Sequence, residues 1–384
     1  MAGRGNTKNS TGAVNAKTFL IINAGSSSVK FQCYAKGKIL VDGVVEEIGK
    51  KSTIRYNSAN SSVYRRQQIR TYTEAGLFIL SIIPPPDIVV HRVVHGGTYT
   101  EPAIITPSVL KKLKSLVSFA PLHMPQSITL VSLLQQKTNA THIACFDTMF
   151  HQTMPLVARR YAIPFPNITK HGFHGLAHEA MMLEALRYEK KTAKGTRIIT
   201  CQLGNGASIC AIRDGKSIDT SMGFTPLEGL MMGTRSGDLD PAIIPYLCSK
   251  LKKSPAAIQE ILEKKSGLYG IAKESDVRML LHRNDKNAQL ALNMFTYRLQ
   301  KYIGAYIAAL GGIDLLILSG GVSRSTVMRC KILFGLEQFG IIINQKKIKK
   351  KTPTQVSIGK TRIWIIDVDE QEHMMNLAKK VLKR

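Results

Sequence analysis

The sequence predicts an α/β protein built twice over, as two domains of similar plan. Three observations lead there. A chain of 384 residues is too long for one core, and two domains are the expectation. A grammar of short apolar runs broken by Gly, Ser and Lys turns occurs near residue 19 and returns near residue 197. Stretches with helical spacing follow each occurrence, and alternating strands and helices build sheets with helices on their faces.

The elements follow in order. Residues 19–23 (FLIIN) read as a strand, AGSSS as a turn, VKFQCY as a second strand, AKGK as a turn and ILVDGVV as a third strand. In the second half, RIITCQ, LGNGAS, ICAIR, DGK and SIDTS repeat that order from residue 197 to residue 221. YAKGK at 34–38 overlays IRDGK at 212–216 at an offset of 178, so the repeat is domain-sized and points to duplication rather than a solenoid. Apolar spacing predicts helices over 177–186, 288–302 and 371–382, and strands at 87–90 (DIVV) and 315–318 (LLIL). The apolar stretch 302–322 approaches membrane-span length, but Gly311, Gly312 and Asp314 divide it. It reads as a helix end, a turn and a buried strand, so no membrane span is expected.

Composition narrows the class. Hydrophobic residues make up 44% and charged residues 21%, as in soluble globular proteins. Six scattered Cys form no CxxC pair, which argues against a zinc site and for a reducing, cytoplasmic setting. The net charge of +27 raises a polyanionic partner, yet it is spread along the chain apart from the run 346–351 (KKIKKK). That run reads as a solvated face. Residues 1–17 are polar and acid-free and read as a disordered tail, with a transit peptide as the alternative.

The segment 219–241 (DTSMGFTPLEGLMMGTRSGDLDP) carries the strongest chemical signal. Four Gly relax the backbone for close approach to a ligand, and Arg235 offers a charged donor fork suited to phosphate or carboxylate. A loop this long in a compact domain is usually functional. The run GSSSVK lacks the Walker spacing. Phosphate binding would therefore rest on the Ser- and Gly-rich hairpin turns at 25–28 and 204–208, whose N–H groups and hydroxyls can surround phosphate oxygens.

From about residue 19 to residue 382 the chain resembles the acetate kinases, members of the superfamily that also holds sugar kinases and actin. NAGSSSVKF at Asn23, HRVVHGG at His91, APLHMP at Ala120, FDTMFH at Phe146, GFHGLAH at Gly172, LGNGAS at Leu203 and the 219–241 run fall in that family's order. The resemblance implies a duplicated actin-like ATPase (ribonuclease H-like) fold, with two domains facing an active-site cleft. The domains would span 18–150 and 151–370, with the helix at about 371–384 packing back on the first.

The resemblance also implies roles. Arg92 and Arg235 would hold the carboxylate and neutralise the transferring phosphoryl group, and His174 would bond its oxygens. Asp147, Asn23 and Glu370 would serve catalysis and the metal, Mg²⁺ with Mn²⁺ as the alternative ion. Val94, Leu122, Phe173 and Pro226 would line a methyl pocket, with His123 near the substrate. Ser26, Ser28, Lys30, Gly204, Asn205 and Gly206 would meet the ATP phosphates. Asp276, Val277, Arg278, Ser319, Gly320 and Gly321 would meet the adenosine. The implied reaction is reversible transfer of the ATP γ-phosphoryl group to acetate, giving acetyl phosphate and ADP, by a homodimer. A kinase for propionate or another short-chain carboxylate is the alternative. Valine at position 94 favours acetate, since propionate-preferring members tend to carry a smaller residue there. A non-catalytic nucleic-acid or membrane-surface binder is the reading from another class, and the near-complete catalytic set argues against it.

Three positions depart from the family pattern. Gln202 replaces a usual His, Met124 a usual Asn, and the usual Gly-Ile-Gly-Glu-Asn run reads GGVSR at 320–324. The last change removes an acid and introduces Arg324, so altered nucleotide affinity or choice is expected.

Overall fold

The computed structural model describes residues 17–384 apart from Asn60 and Leu122. The expected tail lies outside the described residues except for Lys17, and so does Leu122 of the expected methyl pocket. The chain divides into two compact units. One runs to Met149 and includes Asp369–Arg384; the other is Phe150–Val368.

In the first unit, β1 (Phe19–Ala24), β2 (Ser28–Ala35) and β3 (Lys38–Glu46) form the antiparallel meander read from the sequence. A hairpin of β4 (Thr53–Ser58) and β5 (Ser61–Arg66) extends it. On the other side of β1 lie β6 (Ile88–Val93), β8 (Thr141–Phe146) and the edge strand β7 (Ala103–Ile104), giving the order β5-β4-β3-β2-β1-β6-β8-β7. Strands β1, β6 and β8 are mutually parallel and almost wholly buried, because helices cover both faces. Leu20, Ile22 and Ala24 pack with Ala75, Phe78 and Ile79 of α1 (Tyr72–Ser81) and Leu130 and Leu134 of α3 (Met124–Lys137). Helix α2 (Pro107–Ser115) precedes α3 in the chain. Burying each such side chain stabilises by roughly 1.5–3 kcal/mol.

The second unit repeats the plan with β9 (Arg197–Leu203), β10 (Ala207–Arg213), β11 (Lys216–Thr220), β12 (Leu315–Ser319), β13 (Thr354–Gln355) and β14 (Arg362–Ile365), in the order β11-β10-β9-β12-β14-β13. The shared core order is third, second, first, fourth, fifth strand. The likeness reaches single residues. Lys36 and Gly37 turn the first hairpin with φ 50 and 76, and Asp214 and Gly215 turn the second with φ 54 and 78, both residues left-handed as a type I′ turn requires. The ladders shift register between Cys33 and Tyr34 and, at the same offset, between Ala211 and Ile212. The core combines Met181, Met182, Ala185 and Leu186 of α4 (Gly175–Glu189) with Ile198, Cys210, Leu315 and Ile317.

Two of the expected helices run longer than their periodic cores, over Gly175–Glu189 and Lys286–Leu310, and the third, Glu370–Val381, lies one residue earlier than expected. The stretch 302–322 is a helix end, a turn and the fully buried β12, and among the described residues no helix is long and apolar enough to cross a membrane.

Candidate active site

In the first unit the chemistry gathers at the C-terminal ends of the parallel strands, where open α/β sheets bind ligands. Asn23 on β1 stands in register with Arg92 on β6, and Asp147 directly follows β8. Arg92 Nε donates to Asp147 Oδ1 at 2.9 Å and Nη2 to Oδ2 at 2.5 Å, a bidentate fork, while Nη1 donates to Asn23 Oδ1 at 3.0 Å. Asp147 is 1% exposed. Burial by itself would lower the Arg92 pKa, but the charges of Asp147 and Glu370 outweigh it and the net direction is up.

Among the acids at 367–372, the helix geometry sorts the neighbours. Asp369 caps the helix Glu370–Val381, accepting from the N–H groups of Gln371 and Glu372. Asp367 accepts from Arg324 Nε at 3.2 Å and from the Thr352 hydroxyl at 2.8 Å. Glu370 is the acid that feels Arg92, Asp147 and Lys30. Its pKa is raised, first by burial and also by the like charge of Asp147, while Arg92 and Lys30 pull the other way. Among the described residues no group of three or more His, Cys, Asp or Glu could hold a metal by itself. Two carboxylates in mutual repulsion nonetheless fit a divalent ion that takes its remaining ligands from phosphates and water.

The other first-unit candidates surround this cluster. Val94 is buried just past β6. His123 stands at the start of α3, and Ser127 Oγ lies 3.4 Å from the carbonyls of both His123 and Arg92. The turn after β1 is closed by Gly25 N–H donating to the Ser28 carbonyl at 2.7 Å, and it leaves Ser26 exposed. Lys30 is exposed on β2 and lines an open hollow of about 500 Å³ with Gln32, Asp42, Arg55 and Tyr64.

The second unit brings His174, Gly206 and Arg235 together. His174 precedes α4 in the left-handed region at φ 58, an uncommon conformation for a residue with a Cβ. Gly206 lies on the turn between β9 and β10, where an added Cβ would stand 3.4 Å from both Arg235 Nη1 and His174 Cε1. The turn thus lies within contact distance of both groups. Phe173 is buried beside His174 in sequence. Arg235 Nη1 makes only long contacts, to the Pro226 carbonyl at 3.5 Å and Met232 sulfur at 3.7 Å. Among the described residues it has no ion pair. Burial lowers its pKa, offset in part by the charge of Glu263.

Arg235 sits in the irregular run after β11, which has many fasteners despite its lack of regular structure. Gly233 N–H donates to the Asn205 carbonyl at 2.9 Å, tying this loop to the β9–β10 turn. Asp238 accepts from Gly229 N–H at 2.7 Å and from the Tyr302 hydroxyl at 2.6 Å. Tyr161 bonds Glu228 through its hydroxyl, which also accepts from Phe224 N–H at 2.8 Å. At Gly237, φ is 69 and a Cβ would stand 2.5 Å from the Gly229 carbonyl oxygen. Such a site admits little but glycine.

A cavity of about 650 Å³ opens beside these groups' own loops, lined by Gly204, Asn205, Asp276, Val277, Arg278 and Gly321 among others. Ser319 and Gly320 do not line it: Ser319 is 2% exposed, and a Cβ on Gly320 would meet the Leu203 carbonyl oxygen at 2.5 Å. The lining adds Ser275, Val322, Arg324 and Ser325, of which only Arg324 was signalled in the sequence, by its departure from the family pattern.

The model of the acetokinase family matches residues 18–378. The chain belongs to the acetokinase family. An acetate kinase of Staphylococcus carnosus is 40% identical, covering 93% of this chain and 96% of its own. One from Thermoanaerobacterium thermosaccharolyticum is 39% identical over 95% and 98% of the two chains. Among solved structures, the acetate kinase of Porphyromonas gingivalis superposes with a TM-score of 0.87 at 34% identity, covering 96% of this chain and all of that one. A propionate kinase from Francisella tularensis superposes with a TM-score of 0.88 at 33% identity, over 94% and 98%. Members of the acetokinase family are phosphotransferases with a carboxyl acceptor, and the duplicated actin-like ATPase fold is theirs.

Proposed function

We propose that this chain transfers the γ-phosphoryl group of ATP to acetate, reversibly, giving acetyl phosphate and ADP. The observation that carries the reading is Arg235, a half-buried guanidinium with no ion pair among the described residues, beside a glycine turn and His174. Phosphoryl transfer needs positioning and charge neutralisation far more than covalent help. In this reading Arg92, oriented by Asp147 and Asn23, receives the acetate carboxylate. Val94, Phe173 and Pro226 take the methyl group; Leu122, also expected there, lies outside the described residues. Arg235 and His174 donate to the equatorial oxygens as the acetate oxygen attacks phosphorus and the bond to the ADP oxygen breaks. Gly204, Asn205 and Gly206, with Ser26, Ser28 and Lys30, hold the phosphates. Asp276, Val277 and Arg278 take the adenosine, with Ser319 and Gly320 shaping that loop from behind Gly321.

Kinase chemistry of this class uses a divalent metal, and we take the ion to be Mg²⁺, held by Asp147, Glu370 and Asn23. When bound it neutralises phosphate charge. Acetate is preferred over propionate because Val94 fills its site, and one methylene in such a pocket shifts preference by ~1–3 kcal/mol. We place the enzyme in the cytoplasm, a reading supported by six free thiols, four of them buried. A homodimer is supported by Ile243, Tyr246 and Leu251, which leave an exposed apolar face on α5 (Ile243–Leu251), a helix with no buried residue.

Acyl phosphate formation from MgATP with acetate, propionate and butyrate tests the reading. The highest kcat/KM is expected with acetate. A preference for propionate would overturn the pocket argument and leave the chemistry. Absence of acyl phosphate from all three, with ATP still bound, would overturn the function.

A further inference from the structure

Behind His174 runs a chain of hydrogen bonds that the proposed chemistry does not itself call for. His174 Nδ1 lies 2.8 Å from Ser208 Oγ, Ser208 Oγ lies 2.8 Å from His178 Nε2, and His178 Nδ1 lies 2.7 Å from Thr200 Oγ1. His178, Ser208 and Thr200 are each fully buried. The four groups come from one helix and two strands: His174 and His178 are one turn apart at the start of α4, Thr200 is on β9 and Ser208 on β10.

Each bond needs one proton, and counting protons fixes their direction. His178 is neutral: burial lowers its pKa well below the usual histidine value, and the neighbouring His151 and His174 push the same way. It therefore has one N–H. Were that proton on Nδ1, it would donate to Thr200, and the buried Thr200 hydroxyl would be left with a proton and no acceptor among the described residues. Stranding a buried donor costs about 1–3 kcal/mol. In the opposite arrangement every proton is used. Thr200 donates to His178 Nδ1, His178 Nε2–H donates to Ser208, and Ser208 donates to His174 Nδ1.

We propose that Thr200, His178 and Ser208 form a directional relay that sets His174 in its Nε2–H tautomer, so that a neutral imidazole presents a donor toward Gly206 and Arg235. They are positioning residues. The relay rests on His174 being the donor to the phosphoryl group, as proposed above. It explains why the helix begins with a residue forced into the left-handed region: the ring must meet Ser208 with one nitrogen and leave the other facing Gly206.

The test is ¹⁵N NMR of the full-length protein carrying ¹⁵N-labelled histidine, read alongside kinetics. In the wild type at neutral pH, His174 should show an unprotonated Nδ1 and a protonated Nε2. Thr200→Val removes the donor while keeping the shape. It should mix the His178 and His174 tautomers and lower kcat about tenfold, the usual scale for losing a group that orients another, with KM for both substrates nearly unchanged. Thr200→Ser should restore both readouts. Ser208→Ala should free the His174 tautomer even if Thr200→Val folds poorly. A wild-type His174 protonated at Nδ1 would overturn the relay, as would a kcat loss in Thr200→Val with unmixed tautomers. The predicted tautomer in a protein that forms no acyl phosphate would leave the relay standing and overturn the function.

Discussion

Arg92 and Arg235 have the same side chain and are held by opposite means. Arg92 spends three of its five N–H donors within its own unit: Asp147 grips it through two bonds and Asn23 through a third. Arg235 is held by packing and two long contacts, and burial works against its charge. A guanidinium paired with its own protein's carboxylate has a fixed position from which its remaining N–H groups can meet a ligand. One left without a counter-charge is a standing site for an anion, kept at a cost that the fold recovers elsewhere. The first unit therefore builds an ion-paired platform, and the second builds a cation without an ion pair among the described residues, with the neutral His178 behind it.

The largest expected effects break this contrast at the level of turnover. Arg235→Ala and Arg92→Ala should each lower kcat on the order of 10³-fold or more, the scale seen when charge-neutralising arginines are removed from phosphoryl transfer. Stability should separate them. Arg92→Ala strands the buried Asp147 and should cost about 3–5 kcal/mol in denaturant melts. Arg235→Ala removes a desolvated charge without stranding a partner, so its Tm should hold or rise. Equal destabilisation by both would erase the distinction.

Acidification gives a smaller and graded effect. Burial first, and then its His142 neighbour, holds the His91 pKa well below the usual value; burial holds His142 at about 4; His178 is likewise depressed. A base whose folded pKa is depressed contributes stability above its unfolded value of about 6.5, and that contribution is lost as pH falls. Each can cost up to about 1.4 kcal/mol per pH unit below 6.5. Burial also holds His171 of the second unit at about 4, with Arg159 pushing the same way. The four divide evenly between the two units, so hydrogen exchange should show both loosening between about pH 6.5 and 5. Loosening confined to one unit would contradict the assignment.

Glu370→Gln should give the smallest change in stability. A carboxyl whose folded pKa is raised loses stability as pH rises through its titration, so at neutral pH the ionised form is a burden that Gln removes. The apo protein's Tm should not fall, while the concentration of Mg²⁺ needed for half-maximal activity should rise about tenfold or more. An unchanged Mg²⁺ requirement would remove Glu370 from the metal site.

Much of this was legible in the sequence because it is local. The paired meanders announce themselves through turn residues, and the Lys36–Gly37 and Asp214–Gly215 turns show the left-handed pairs that such turns demand. The strand-end position of Asp147 is marked by the apolar run HIACF at 142–146 before it. Other features were not legible because their cause is distant in the chain. The β4–β5 hairpin has largely exposed, polar strands with weak alternation. Helix α5 buries none of its residues, so no core-facing stripe marks it. The grip of Asp147 on Arg92 joins residues 55 apart, and the His178–Thr200 bond joins residues 22 apart. The spacing of His174 and His178 at one helical turn was the single local hint of the relay.

The most direct measurement of the central claim compares acetyl phosphate formation from MgATP and acetate by the wild-type chain and by Arg235→Ala, with ATP binding measured on both. The account predicts robust synthesis by the wild type, a loss on the order of 10³-fold in the variant, and a folded variant that still binds ATP. Undiminished synthesis by Arg235→Ala, or none by the wild type, would contradict it.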